Sequence, residues 1–119
     1  MDRAYENSIQ VEINGETFAM ELASNATADA FAELLPLKAE LSELNGNEKY
    51  VYLNQALPSD PAVPSGIEAG DVMLFGDSCL VVFYESFSTS YSYTMIGRIE
   101  DASRLRESLG SGSVEAAFL

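Results

Sequence analysis

Histidine and tryptophan are absent from this chain of 119 residues, and cysteine occurs once. Without histidine there is no Ser-His-Asp or Cys-His arrangement and no zinc site of the histidine or multi-cysteine kind. A single thiol closes no disulfide within the chain. Cys79 stands inside an apolar run and is expected to be buried and inert, because reactive thiols need an exposed, electropositive setting. Positive charge is also scarce: six Lys and Arg face 19 Asp and Glu, a formal net charge of −13. That excess repels phosphate backbones and anionic headgroups, so neither nucleic acid nor a membrane is an expected partner. No apolar run approaches about eighteen residues and no charged-then-apolar leader follows Met1, so the expected location is the cytoplasm. Gly-x-Gly-x-x-Gly, Walker and calcium loops are missing, and Gly110-Ser111-Gly112 reads as a turn. No cofactor and no metal is expected.

The length suits one domain with a hydrophobic core, placed at residues 8–119 after a polar, flexible lead-in at 1–7. The rest is organised around 70–99. Val72 to Phe75 and Leu80 to Tyr84 are apolar at odd and even positions alike, so both faces of these strands must be covered. A closed barrel with helices outside it, or a sandwich interior, meets that demand. Ser86 to Thr94 then interleaves hydroxyls with Phe87, Tyr91 and Tyr93. In strand geometry Tyr91 and Tyr93 share a face. They can cover a core edge as part of an exposed hairpin, or rim a pocket, since tyrosine joins apolar area to an orienting hydroxyl.

Upstream, Ile9, Val11 and Ile13 alternate with polar residues up to Asn14-Gly15, and Phe18, Met20 and Leu22 alternate on the return, which predicts a hairpin with one buried face. Ala30, Phe31, Leu34 and Leu35 fall at helical spacing, with Asn25 or Thr27 as cap and Pro36 as stop. Leu37, Ala39 and Leu41 mark a half-buried strand, Asn45-Gly46-Asn47 a turn, and Tyr50 to Leu53 another strand. The stretch 54–65, with Pro58, Pro61 and Pro64, has no period and reads as a surface loop, for which a purely structural role is favoured over the functional or mobile role that loops of this length often have. A helix is expected over 102–109, capped by Asp101 or Ser103 and ended by Gly110, and then a last strand from Val114 to Phe118 that pairs with the first. The fold class is therefore mainly β, a β-barrel with two short helices.

Three stretches resemble the cyclophilin-like closed barrel. Residues 25–34, Asn-Ala-Thr-Ala-Asp-Ala-Phe-Ala-Glu-Leu, are similar to the Thr-Pro-Lys-Thr-x-x-Asn-Phe-x-x-Leu run that opens the first cyclophilin helix. Residues 93–99, Tyr-Thr-Met-Ile-Gly-Arg-Ile, resemble a strand of the form His-x-Val-Phe-Gly-Lys-Val, and a helix and strand follow in the same order. More closely, residues 9–119 resemble small bacterial cyclophilin-like domains of unassigned reaction, through 34–37, 44–50, 69–71 and 86–94. The resemblance implies the fold but not the isomerase equipment. Tyr93 stands where the motif has histidine, Arg98 replaces the motif lysine, no Phe-x-Arg precedes the central strands, and there is no tryptophan for the pocket wall.

The residues themselves offer little chemistry. Lys38 and Lys49 are weak candidates for activating a serine, and Lys38 falls on the polar side of its strand. The carboxylates at 71, 77, 100 and 101 are accounted for as caps and turns. The leading expectation is a non-catalytic barrel that binds a small molecule or peptide in the cleft equivalent to the isomerase pocket, beside the barrel mouth. Tyr50, Tyr52, Tyr91 and Tyr93 would supply apolar area and hydroxyls, and Ser92 and Arg98 polar anchors. Two alternatives stand beside it: a residual prolyl isomerase, and an interaction module or homodimer using an exposed patch of Phe87, Tyr91 and the proline loop.

Overall fold

The computed structural model describes residues 5–119. Among them are eight strands and two helices: β1 (Tyr5–Ile13), β2 (Glu16–Ala23), α1 (Ala26–Ala32), β3 (Leu37–Leu44), β4 (Glu48–Tyr52), β5 (Asp71–Phe75), β6 (Cys79–Phe83), β7 (Thr94–Ile99), α2 (Ala102–Leu109) and β8 (Val114–Phe118). The strands close an antiparallel barrel in the order β1-β2-β7-β5-β6-β4-β3-β8. Residues 1–4 of the expected lead-in lie outside the described residues, and 5–7 are already part of β1.

Alternation writes the inner wall. Val11 and Ile13 on β1 and Phe18, Met20 and Leu22 on β2 face the core, and Asn14 and Gly15 take the positive φ angles that a two-residue turn demands. β8 does pair with β1, Val11 opposite Phe118, which closes the cylinder. Its two ends are stoppered by the helices. β2 runs from the hairpin turn toward α1, whereas antiparallel β7 returns toward that turn and delivers α2 to the hairpin end. Ala28 and Phe31 of α1 and Leu105 and Leu109 of α2 enter the same core, and Phe31 meets Phe118 edge to face at 5.5 Å.

The helices begin differently. Asn25 caps α1 by accepting from Ala28 N at 2.7 Å. Asp101 occupies the corresponding place before α2 with a left-handed backbone, but its carboxylate takes Arg104 Nε at 2.9 Å and caps nothing. α1 also stops at Ala32, short of the apolar pair Leu34 and Leu35, because its carbonyls are closed off by a tightening last turn before Pro36.

The doubly apolar strands find two covers. Val72, Leu74, Leu80 and Val82 point into the barrel core, while Met73, Cys79, Val81 and Phe83 point outward into a second cluster with Ile67 and Tyr93. Helices do not cover that outer face, contrary to the barrel expected from the sequence; the two long connections do. Ala62 and Tyr93 exchange hydrogen bonds of 3.0 and 2.9 Å, and Ile67 and Phe87 exchange 2.9 and 3.0 Å, so the 53–70 and 84–93 segments cross the outer wall stapled to each other. Leu57 N to Asp77 O (2.8 Å), Asp60 N to Thr94 Oγ1 (3.0 Å) and the Thr27 hydroxyl to the Pro58 carbonyl pin the proline stretch, and Leu57 is buried in the main core. The irregular period of 54–65 thus reflects many separate anchors.

The closest seam is β2 against β7. A Cβ on Gly97 would lie 2.2 Å from Glu21 O and 3.0 Å from Met20 Cε, so no side chain fits. Gly97→Ala is expected to cost at least about 2 kcal/mol and to lower Tm by roughly 10 °C, whereas Gly112→Ala, in open space, leaves Tm unchanged. Thermal unfolding followed by circular dichroism checks both.

Candidate functional site: an aromatic groove on the outer wall

β4 supplies one wall of the site. Period two sets Lys49 and Val51 toward the interior and Glu48, Tyr50 and Tyr52 outward, opposite Phe83, Val81 and Cys79 of β6. Where the loop cover ends, these residues and the 87–91 bend enclose a groove of about 610 Å³, lined by Tyr50, Tyr52, Phe75, Phe87, Tyr91 and Tyr93 together with Glu48, Asn47, Leu44, Asn45, Cys79, Val81 and hydroxyls of 88–90. The groove opens on the side of the barrel, not at its mouth, since both mouths are stoppered.

Its rings meet edge on. Tyr50 and Tyr52 lie 6.0 Å apart at 80°, and Phe75 stands 6.1 Å and 87° from Tyr91 and 5.5 Å from Tyr93. Behind them Phe83 touches both Phe87 and Tyr93. The front rings remain open to solvent: Tyr52 is 68% exposed, Tyr91 64%, Phe75 44% and the neighbouring Leu44 41%. Tyr93 is buried. Its hydroxyl is pushed up in pKa by burial first and then by the Glu48 charge, and Cys79 is pushed up by the same two causes. Both shifts favour the neutral phenol and thiol over their anions.

Glu48 itself is pushed up, by burial and by the charge of Glu43. Glu43 shows the opposite balance: burial works against its charge, but Lys49 Nζ at 2.9 Å, the Tyr84 hydroxyl at 2.8 Å and Gly46 N at 2.8 Å outweigh it and hold its carboxyl low. The same contact, with burial as the larger cause, pushes Tyr84 up to about 12. Lys49 is wholly buried beneath the groove and also donates to the Gly112 carbonyl, so it belongs to the barrel floor.

The four tyrosines singled out in the sequence come together here, although by a different route. Tyr91 and Tyr93 do not share a strand face, since 84–93 is irregular; one is exposed and one buried, and Phe75 joins them. Ser92 is exposed and lies outside the groove lining. Arg98 is elsewhere. Its Nε donates to buried Asp71 Oδ1 at 2.9 Å across the β5–β7 seam, with Glu68 Oε2 at 3.9 Å, and it lines a separate groove of about 590 Å³ between the proline stretch and β7. Phe87 is half buried against Phe83, whereas Tyr91 is exposed. Sequence reasoning missed Phe75, Glu48 and Asn47. For Glu48 the signal was available, two residues before Tyr50 on an alternating strand, and Asn47 adjoins it; for Phe75 there was none, because only the fold brings it over β4.

A family model described as a cyclophilin-like family matches residues 11–118. No curated protein matches the chain.

A carboxyl whose folded pKa is raised favours the folded state while protonated and loses that contribution as pH rises through the folded value. Glu48→Gln is therefore expected to melt above the parent at pH 7, with the gap closing as pH falls to about 4, where the proton is held in both states. Melting curves across that range check the sign.

Proposed function

From the premise that the chain belongs to the cyclophilin-like family, we propose that it is a non-catalytic barrel whose outer-wall groove binds a small organic molecule or a short peptide side chain. The observation that carries this reading is the gathering of exposed apolar area. Leu44, Tyr52, Phe75 and Tyr91, among the most exposed large apolar side chains of the described residues, all line one groove. Soluble surfaces scatter such residues singly, and a contiguous patch beside a concavity marks a binding surface. The volume falls in the range of small-molecule pockets, and tyrosine hydroxyls with the 88–90 hydroxyls supply orienting contacts on an apolar floor.

Support for binding without turnover comes from the same lining. Among the described residues no arginine or lysine borders the groove, so none of their guanidinium or ammonium groups stands there to donate to a prolyl nitrogen as the bond twists. Protein at micromolar concentration is expected to leave the isomerisation rate of an Ala-Pro peptide at its uncatalysed value in a protease-coupled assay; acceleration abolished by Tyr93→Phe would make this an enzyme instead.

Binding is tested with an aromatic fragment collection and amide-shift NMR. Hits are expected to move the resonances of Val81, Ser88 and Tyr91. The double variant Tyr52→Ala, Tyr91→Ala should weaken them at least about fivefold with little change in Tm, since both rings are exposed. Hits confined to the groove beside Arg98, or none at all, would reject the assignment.

A further inference from the structure

We propose that the ligand of the aromatic groove is an organic cation, an ammonium-bearing molecule whose charge lies against the tyrosine faces with Glu48 as its counter-charge. This rests on the reading of the groove as a binding site and names the chemical class it takes.

Among the described residues Glu48 is the one charged side chain of the lining, and six aromatic rings line the groove with it. The rings stand nearly perpendicular in pairs, Tyr50 with Tyr52 and Phe75 with Tyr91, so the faces they bring to the groove are not parallel. A flat neutral ligand is served best by parallel faces. A compact cation gains from several faces turned toward one point, which is the arrangement that recognises ammonium groups.

Glu48 points to the same conclusion. The basic residues that form ion pairs are engaged elsewhere: Lys49 with Glu43, Arg98 with Asp71 and Glu68, Arg104 with Glu16 and Asp101, Arg106 with Glu85. Glu48, half buried, has no such partner among the described residues. Burial and Glu43 both penalise its bare charge, and an incoming cation relieves that penalty at the moment of binding. Beside it stands Asn47, whose amide oxygen is buried and meets no hydrogen-bond donor among the described residues. An anion would meet the Glu48 carboxylate and ring faces, both repulsive to it.

The experiment compares three probes of one benzyl frame by amide-shift titration of the full chain: benzyltrimethylammonium, benzyl alcohol and phenylacetate. Benzyltrimethylammonium is expected to bind at least about fivefold more tightly than benzyl alcohol, with phenylacetate weakest and with added salt weakening the cation alone. Glu48→Gln should remove most of that preference while leaving benzyl alcohol binding within about twofold. Tyr91→Leu, which keeps apolar area and loses the ring face, should weaken the ammonium probe selectively. If benzyl alcohol binds the groove as tightly as the ammonium, or Glu48→Gln leaves the preference intact, the cation assignment is wrong and the groove remains a ligand site. If none of the three moves groove resonances, both fall.

Discussion

An eight-stranded closed barrel has one inside, and β5 and β6 carry enough apolar side chains for two. Everything distinctive about this molecule follows from that surplus. The inward residues are satisfied by the common core, but Met73, Cys79, Val81 and Phe83 face away from it and need a lid. The chain provides one from its two long connections, which are held flat on the wall by paired backbone hydrogen bonds at Ala62–Tyr93 and Ile67–Phe87. Backbone laid over a sheet must satisfy its own polar groups, and the mutual bridges do so without a regular strand. The cover stops short of β4, and the groove is the part of the outer wall it leaves open.

How far the sequence discloses this depends on whether a feature is local. Alternation along Val11, Ile13, Phe18, Met20 and Leu22, the Asn14-Gly15 turn, and the bounds of α2 follow from residues a few positions apart, and the structure agrees. Two-sided burial of β5 and β6 was equally legible, but not what would cover the outer side, because the staples join positions roughly twenty to thirty apart that carry no distinctive residue type. The same divide separates the site residues. Tyr50 and Tyr52 come from one alternating strand and were found together; Phe75 reaches the groove by tertiary placement. Arg98 misled because a lone arginine near a tyrosine-rich bend suggests an anchor, whereas its strand register sets it against Asp71.

The charge ledger sharpens the contrast between seams and groove. In a chain with few basic residues, those whose ion pairs are described hold structural joints: Lys49 at the barrel floor, Arg98 on the β5–β7 seam, Arg104 between α2 and the β1–β2 hairpin, Arg106 between α2 and the end of β6. Ser108 adds to the Glu16 joint, and its hydrogen bond, first, with that of Arg104, lowers the Glu16 pKa. Glu16 and, at the Lys49 joint, Glu43 are thereby favoured in their charged form.

Glu48 departs from that pattern, and the departure is informative because a cheaper solution was available. Glutamine at the same position would keep the length and the acceptor oxygen without charge burial. Natural sequences contradict their own folding preference mainly where function demands it. A half-buried carboxylate among tyrosine faces, without the ion pair that half-buried Glu43 and buried Asp71 each have, is a local expense for folding and an asset to a partner that brings positive charge.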